Sequence, residues 1–231
     1  MKIVSYPSPN FNERPSHVKQ PDIIILHHTN MDSAESALKR LLDPESKVSC
    51  HYLIHKNGTI YQLVDEKNRA WHAGASAWKK RDNINDYSIG IELDSLGDVF
   101  TSDQMESLVF LINDIRTRYP IPNTQILGHS DIAPDRKDDP SEHFDWEYLA
   151  EHDIGCLPKN VAMLKEIPPM EELEKTLHSI GYRGEKTKVI QAFQRHFRRR
   201  KVDGVVDLET ASTLIVVEGL YSLYFKIPDS K

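Results

Sequence analysis

The heptapeptide "DIIILHH", residues 22–28, sets the first constraint on the fold. Its unbroken apolar run predicts a short buried β-strand, because apolar runs of this length between polar residues are typical of strands inside a sheet. Successive side chains of a strand point to opposite faces. The alternation divides the segment into two sets, Ile23, Ile25 and His27 on one face and Ile24, Leu26 and His28 on the other. The strand therefore ends in two histidines that face opposite ways.

Strands and helices alternate around this segment, from residue 22 to about residue 155. The predicted strands are a hairpin in "HYLIHKNGTIYQLV", which turns at Asn57-Gly58, and the segments "YSIGIELD" and "NTQILGH". The predicted helices are "SAESALKRLLD", "TSDQMESLVFLINDIRTRYP" and "HFDWEYLAEH", the second with a capping box of Thr101 and Gln104. This alternation predicts an α/β fold with a mixed central β-sheet flanked by helices.

Beyond residue 157 the pattern changes. Pro158, Pro168 and Pro169 punctuate a linker over residues 158–169, and only helical patterns follow. We therefore expect three units: a larger α/β domain over residues 1–157, the linker, and a small all-α three-helix domain over residues 170–231.

Composition excludes several classes of protein. The 231 residues carry a formal net charge of -6, which argues against a general nucleic-acid binder. We interpret the basic run "RHFRRRK", residues 195–201, as a solvated helix end, with contact to an anionic polymer as the alternative.

The chain has no apolar run long enough to span a membrane, and its N-terminus lacks the apolar core of a signal peptide. Two cysteines, Cys50 and Cys156, form no disulfide framework.

A carboxylate interrupts the predicted strand over residues 87–94. Glu92 lies with Gly90 on the face opposite three apolar side chains. Burying an unpaired carboxylate costs several kcal/mol. Glu92 must therefore face solvent, a cation or a water-filled cleft, and Gly90 leaves room for a group to approach the sheet. This strand alone fits an ordinary glutamate on a wet sheet face equally well.

The segment "GHSDIAPDRKDDPS", residues 128–141, follows another predicted strand and has no helical or strand period. His129 stands at the strand end, as His27 does, and the predicted loop after it is rich in aspartate. A catalytic zinc site uses three nitrogen or oxygen ligands and one open position, so two strand-end histidines and one loop aspartate would suffice. Structural histidines and a solvated loop are the alternatives for each segment taken alone.

Together, the ordered segments "ILHHT", "SCHYLIHKNGTIYQLV", "AWHAGAS", "YSIGIELD" and "GHSDIAPDRKDDPS" resemble the zinc-dependent N-acetylmuramoyl-L-alanine amidases of the AmiD and AmpD type. This family belongs to the peptidoglycan recognition protein superfamily. The resemblance covers about residues 20 to 155. The tail segments "LHSIGY", "VIQAFQRHF" and "VDGVVDLETASTL" are similar to a small three-helix peptidoglycan-binding domain, a combination typical of the AmiD branch.

The resemblance implies a role for each matched residue. It makes His27, His129 and Asp139 the ligands of one Zn²⁺ ion, with Asp138 as an adjacent non-ligand. It implies that Glu92 is the general base and Lys137 the cationic stabiliser, and that His72 and Trp71 contact substrate while His51 supports the site from behind. Trp78 and Tyr87 are further candidate walls for a sugar or peptide, or ordinary core aromatics.

The expected reaction is hydrolysis of the amide bond between N-acetylmuramic acid, possibly in its 1,6-anhydro form, and L-alanine of peptidoglycan or muropeptides. A non-catalytic peptidoglycan-binding or sensing protein is the main alternative, and the intact ligand set with Glu92 argues against it. A zinc peptidase of another class is disfavoured because no H-E-x-x-H motif occurs. The expected partner is peptidoglycan and not nucleic acid. The wall-binding tail favours the periplasm or cell envelope over the cytoplasm, and the oligomeric state stays open.

Overall fold

The structure is a computed structural model that describes residues 3–224. Its ten strands are β1 (Ile3–Ser5), β2 (Phe11–Glu13), β3 (Ile23–His28), β4 (Tyr52–Ile54), β5 (Ile60–Gln62), β6 (Asn68–Ala70), β7 (Ala77–Trp78), β8 (Arg81–Asp82), β9 (Ser88–Leu93) and β10 (Ile126–Gly128). Six of them form the central sheet in the order β1-β5-β4-β9-β3-β10. Strands β4 and β5 pair antiparallel, whereas the other neighbours pair parallel. The expectation of a mixed central sheet is confirmed.

Seven α-helices surround the sheet within residues 3–224. They are α1 (Ala34–Leu42), α2 (Ser102–Arg118), α3 (His129–Ile132), α4 (Trp146–Glu151), α5 (Met170–Ile180), α6 (Lys186–Phe197) and α7 (Leu208–Tyr224). The predicted capping box of α2 is present: Thr101 Oγ1 accepts from the Gln104 amide, and the Gln104 side chain accepts from the Thr101 amide. None of these helices is long and apolar enough to cross a membrane.

One expectation about backbone structure is wrong. Residues 129–132 form the single helical turn α3 and not a loop. The turn is stabilised at its start because the Asp131 carboxylate accepts from the Gly128 amide at 2.7 Å.

One face of the central sheet, here called the α2 face, is apolar along β3 and β9 except for His28 at the end of β3. Ile24 and Leu26 of β3 and three residues of β9 lie there under helices α2 and α4. The residues of β9 are those expected from the alternation, Ile89, Ile91 and Leu93, all 0% exposed. At roughly 25 cal/mol per Å² of buried apolar surface, this layer is a main source of folding free energy.

The opposite face, here called the cleft face, is covered in two parts. Helix α1 packs beside β4 and β5 through Ala37, Leu41 and Leu53. Helices α5, α6 and α7 cover Ile23 and Ile25 of β3. Their side chains join those of the sheet in one cluster that includes Leu173, Leu177, Ile180, Val189, Ile190, Phe193, Leu214, Val217 and Tyr221. The C-terminal helices therefore share a hydrophobic core with the sheet.

The basic run over residues 195–201 differs from the solvated helix end that we expected. Arg198 is buried and pairs with Asp207 and Glu209, and Arg199 pairs with Asp145 and Glu147. The carboxylates lie on other elements, so the sequence pattern of the run itself gave no sign of them. These arginines brace the fold and do not form a free basic patch.

Candidate active site and metal centre

His27, His129 and Asp139 converge on one point at the carboxyl end of the sheet. His27 Nδ1 lies 3.0 Å from His129 Nδ1 and 3.0 Å from Asp139 Oδ2, and His129 Nδ1 lies 3.1 Å from that oxygen. All three residues are buried. A tetrahedral ion with ligands at about 2.0–2.1 Å would separate its ligand atoms by about 3.3 Å, so this triangle is close to the size that zinc requires.

Secondary structure accounts for the convergence. His27 lies near the end of β3, and His129 follows directly after β10, its parallel neighbour. Asp139 reaches the same point because its carbonyl accepts a hydrogen bond of 2.8 Å from the Ser130 amide. Helix α3 thus carries one ligand and holds the backbone of the next.

A hydrogen bond behind His129 selects the tautomer of its ring. Its Nε2 lies 3.1 Å from the Ala73 carbonyl oxygen, which can only accept, so Nε2 carries the hydrogen. In the neutral imidazole, Nδ1 is then an unprotonated electron pair aimed at the triangle. A metal-binding histidine needs this arrangement.

A longer series of hydrogen bonds, through Ser88 and His72, selects the tautomer of His27. Ser88 Oγ donates its only hydrogen to the Ile84 carbonyl at 2.7 Å, so it must accept from His72 Nε2 at 3.2 Å. His72 Nδ1 is therefore unprotonated and accepts from His27 Nε2 at 3.0 Å. His27 Nδ1 is left with an electron pair towards His129 and Asp139. Two bare nitrogens and a carboxylate oxygen at 3.0–3.1 Å repel one another unless a cation lies between them, so this donor set fits a divalent metal.

The pKa values of His27 and Asp139 also fit a metal site. Burial and the neighbouring His129 lower the pKa of His27 to about 4. Burial alone would raise the pKa of Asp139, but its closeness to both histidines holds that pKa well below its usual range. At neutral pH His27 is therefore neutral and Asp139 ionised, the states that metal binding demands.

Gly90 explains how His72 enters the site. A side-chain carbon at residue 90 would lie 2.4 Å from the His72 ring. The space that we predicted above this glycine is therefore filled by His72. Because both ring nitrogens of His72 already have partners, its expected contact with substrate would have to use the ring carbons.

His51 lies next to His72, with ring centroids 5.7 Å apart. It is 0% exposed, its Nδ1 accepts from the Gly90 amide at 3.0 Å, and its Nε2 then donates to the Asn68 carbonyl at 3.1 Å. Burial lowers its pKa to about 3, so it stays neutral and rigid.

Glu92 lies beside the metal triangle. It is the register partner of His27 on the adjacent parallel strand and points to the same face. Its Oε2 is buried and makes no hydrogen bond to any residue of 3–224. Burial and the nearby Asp139 raise its pKa to about 8, an effect that Lys137 opposes. An unpaired carboxyl with its pKa near neutrality can exchange protons in a reaction.

A cleft of about 550 Å³, a size typical of small-ligand sites, opens onto the metal triangle. Its lining includes His27, His72, Glu92, His129 and Asp139. Lys137 and Asp138 are exposed and line the cleft, and Trp71 lines it too, with its Nε1 donating to Asn12 at 2.7 Å. Trp78 is 2% exposed in the core against Tyr182 and does not line the cleft.

Two supporting groups were missed by the sequence analysis. Arg136 Nη2 donates to the carbonyls of Ala73 and Ala75, at 3.0 Å and 2.6 Å, and so ties the segment after α3 to the segment that carries His72. Ser88 orders His72. Neither role has a local sequence signal, since both depend on backbone carbonyls that the fold brings close.

Comparison with known proteins identifies the family. A family model described as N-acetylmuramoyl-L-alanine amidase matches residues 17–142. AmiD of Escherichia coli K12 is 36% identical over 87% of this chain and 83% of its own length. AmpD of Citrobacter freundii is 35% identical over 61% of this chain and 84% of its own length.

Solved structures extend the likeness to the C-terminal helices. AmiD from E. coli, in complex with anhydro-N-acetylmuramic acid-L-Ala-D-γ-Glu-L-Lys, has a TM-score of 0.80 and 32% identity over 92% of this chain and 98% of its own. AmpDh3 from Pseudomonas aeruginosa, in complex with an anhydromuramic pentapeptide, has a TM-score of 0.81 and 30% identity over 92% of this chain and 97% of its own. The chain belongs to the N-acetylmuramoyl-L-alanine amidase family.

Proposed function

We propose that this protein hydrolyses the amide bond between N-acetylmuramic acid and L-alanine in muropeptides, with one Zn²⁺ ion held by His27, His129 and Asp139. The observation that carries the proposal is the triangle of bare ligand atoms beside the unpaired carboxyl of Glu92. The muropeptide complexes of AmiD and AmpDh3 support the substrate class.

A zinc ion, when bound, polarises a carbonyl and lowers the pKa of water to about 7. The rest of the chemistry falls to the side chains. Glu92 accepts a proton from the attacking water and returns it to the alanine nitrogen as the carbon–nitrogen bond breaks. Its pKa of about 8 in the metal-free cleft suits a group that must take up and release a proton near neutrality.

Lys137 is the proposed stabiliser of the negative charge that develops on the carbonyl oxygen. It is exposed on the cleft wall, close enough to affect the pKa of both Glu92 and His27. One donor of this kind is commonly worth roughly 3 kcal/mol of barrier. Trp71, held by Asn12, offers a flat apolar surface on which a sugar or peptide can rest.

The decisive experiment is digestion of anhydro-muropeptides and of purified sacculi, with and without a chelator, read by mass spectrometry. Release of the free stem peptide, lost with chelator and restored by Zn²⁺, is expected. Binding of muropeptide without any release would instead favour the alternative, a non-catalytic peptidoglycan sensor.

We also propose that helices α5 to α7, together with the residues that follow them to 231, contribute to binding of the polymer, as their resemblance to a peptidoglycan-binding domain implies. Such a role agrees with a periplasmic or envelope location, with the cytoplasm as the alternative. Co-sedimentation of the Glu92→Ala protein with sacculi tests it, because an inactive enzyme cannot release the polymer by cutting it. Protein that stays in the supernatant would contradict polymer binding.

A further inference from the structure

A buried carboxylate outside the reaction chemistry joins the metal site to the C-terminal helices. Asp131 lies in α3, two residues after His129, and is 0% exposed. It is neither a ligand of the metal triangle nor part of the cleft lining. A buried carboxylate is stable only when several hydrogen bonds compensate for its lost hydration.

Three donors satisfy Asp131, and two of them come from the C-terminal helices. The Gly128 amide donates to Oδ2 at 2.7 Å. Tyr182, just after α5, donates from its hydroxyl to Oδ1 at 2.7 Å, and His196 of α6 donates from Nδ1 to Oδ2 at 2.7 Å. Tyr182 and His196 are 1% and 3% exposed, so no water competes for these bonds.

Both donors are held rigidly. The His196 ring stacks on Trp146 with centroids 3.7 Å apart, and the Tyr182 ring packs edge-on against Trp78 at 5.1 Å. Burial raises the pKa of Tyr182 well above its usual value, and the adjacent Asp131 adds to this, so the hydroxyl keeps its hydrogen. The carboxylate therefore has fixed partners on three sides.

The turn α3, which Asp131 anchors, carries one proposed metal ligand and holds the backbone of a second. The turn α3 begins with His129, and its Ser130 amide donates to the Asp139 carbonyl at 2.8 Å. A second tether lies between them, where Asp135 Oδ1 accepts from the Glu185 amide at 2.8 Å, at the start of α6. Two of the three ligand positions thus depend on a turn that the C-terminal helices hold.

We propose that Tyr182 and His196 are positioning residues for the metal site, acting through Asp131 to hold His129 and Asp139 at binding distance. This inference rests on the proposed function, since it takes those two residues as metal ligands. The C-terminal helices then have two tasks, of which one is to complete the metal centre of the full chain.

The test measures Zn²⁺ affinity by competition with a chromophoric chelator, in the full-length chain. Removal of supporting hydrogen bonds around metal ligands typically weakens binding by about 10- to 100-fold. Asp131→Asn replaces an acceptor oxygen by an amide donor that faces other donors, and we expect about tenfold weaker binding. Tyr182→Phe removes one of the hydrogen bonds that Asp131 accepts, one residue further from the ligands, and we expect about threefold weaker Zn²⁺ binding.

Tyr221→Phe is the matched control. Tyr221 belongs to the same helical cluster and is 2% exposed, but its hydroxyl has no hydrogen-bond partner in the described part of the chain. It should bind Zn²⁺ as the wild type does, and thermal unfolding of all variants in chelator separates metal affinity from general stability. Wild-type affinity in Tyr182→Phe, or equal losses in Tyr182→Phe and Tyr221→Phe, would overturn the inference. A wild-type protein that binds no Zn²⁺ would instead overturn the proposed function.

Discussion

The two faces of strands β3 and β9 carry different kinds of residue, although they alternate along the same few positions. On the α2 face the side chains of both strands are apolar and 0% exposed, including Ile24, Ile91 and Leu93, except for His28 at the end of β3. On the cleft face, apolar Ile25 gives way to His27, and Gly90 is followed by Glu92. Alternation lets one strand stabilise the sheet through one face and display chemical groups on the other. Changes on the two faces should therefore have separable effects.

The largest expected effect is on turnover, from the cleft face. Glu92→Ala removes the proposed proton acceptor, and general acid–base catalysis is typically worth about 10²- to 10⁴-fold. We expect kcat to fall within that range while one Zn²⁺ per chain is retained. The measurements are muropeptide hydrolysis and metal content of the same preparation. Near-normal hydrolysis would remove Glu92 from the mechanism.

Local sequence patterns were sufficient to predict the elements that form the α2 face. The pattern of "TSDQMESLVFLINDIRTRYP" and its capping box predicted helix α2, and the alternation in β9 predicted that strand and its apolar face. The convergence of His27 and His129 at neighbouring strand ends was open in each segment alone, and the family resemblance selected it. Patterns with a period inside one element are visible in a sequence because the cause and the result are local.

The cleft face was predicted less completely, because its partners are distant in sequence. The prolines over residues 158–169 predicted a separate helical unit, yet helices α5 to α7 share a core with Ile23 and Ile25. The apolar run of β3 was the sequence signal for this packing, because a strand with apolar residues on both faces needs a covering layer on each face. The use of Gly90 to admit His72 could not be predicted, because it depends on a segment about 18 residues away.

The next effect belongs to the α2 face and should leave the chemistry intact. Leu111 of α2 is 0% exposed in the apolar cluster. Leu111→Ala should lower the free energy of unfolding by about 2–5 kcal/mol, the cost of lost contacts and a residual cavity. Denaturant unfolding measures this change, and Zn²⁺ affinity of the folded protein should stay within about twofold of wild type. A variant that lost metal affinity as well would show that the two faces are coupled.

A smaller effect on the cleft face distinguishes a positioning role from a substrate contact for His72. His72→Ala removes the acceptor of the His27 Nε2 hydrogen and frees the ring to turn. We expect about 10- to 100-fold weaker Zn²⁺ binding, the usual range for partners of metal-binding histidines. His178→Ala, an exposed histidine on α5, is the control and should change nothing. If metal affinity stays normal and only KM rises, His72 contacts substrate as the sequence first indicated.

The smallest effect concerns pH and the metal-free protein. The pKa of Glu92 is raised from 4.5 to about 8 in the folded chain, mainly by burial. Below pH 4.5 the carboxyl is protonated in both states, so burying it as the neutral acid costs little. Between pH 4.5 and about 8 the unfolded chain loses this proton while the folded chain keeps it, so folding is progressively penalised, and above pH 8 the penalty stops growing.

Glu92→Gln lacks this titration and should gain stability over wild type as pH rises through that window, by on the order of 1–2 kcal/mol because water in the cleft relaxes the penalty. Urea unfolding of both proteins in chelator at several pH values measures the difference. A stability difference that stays constant with pH would mean that the Glu92 carboxyl is solvated, and that the cleft face is as wet as an ordinary sheet surface.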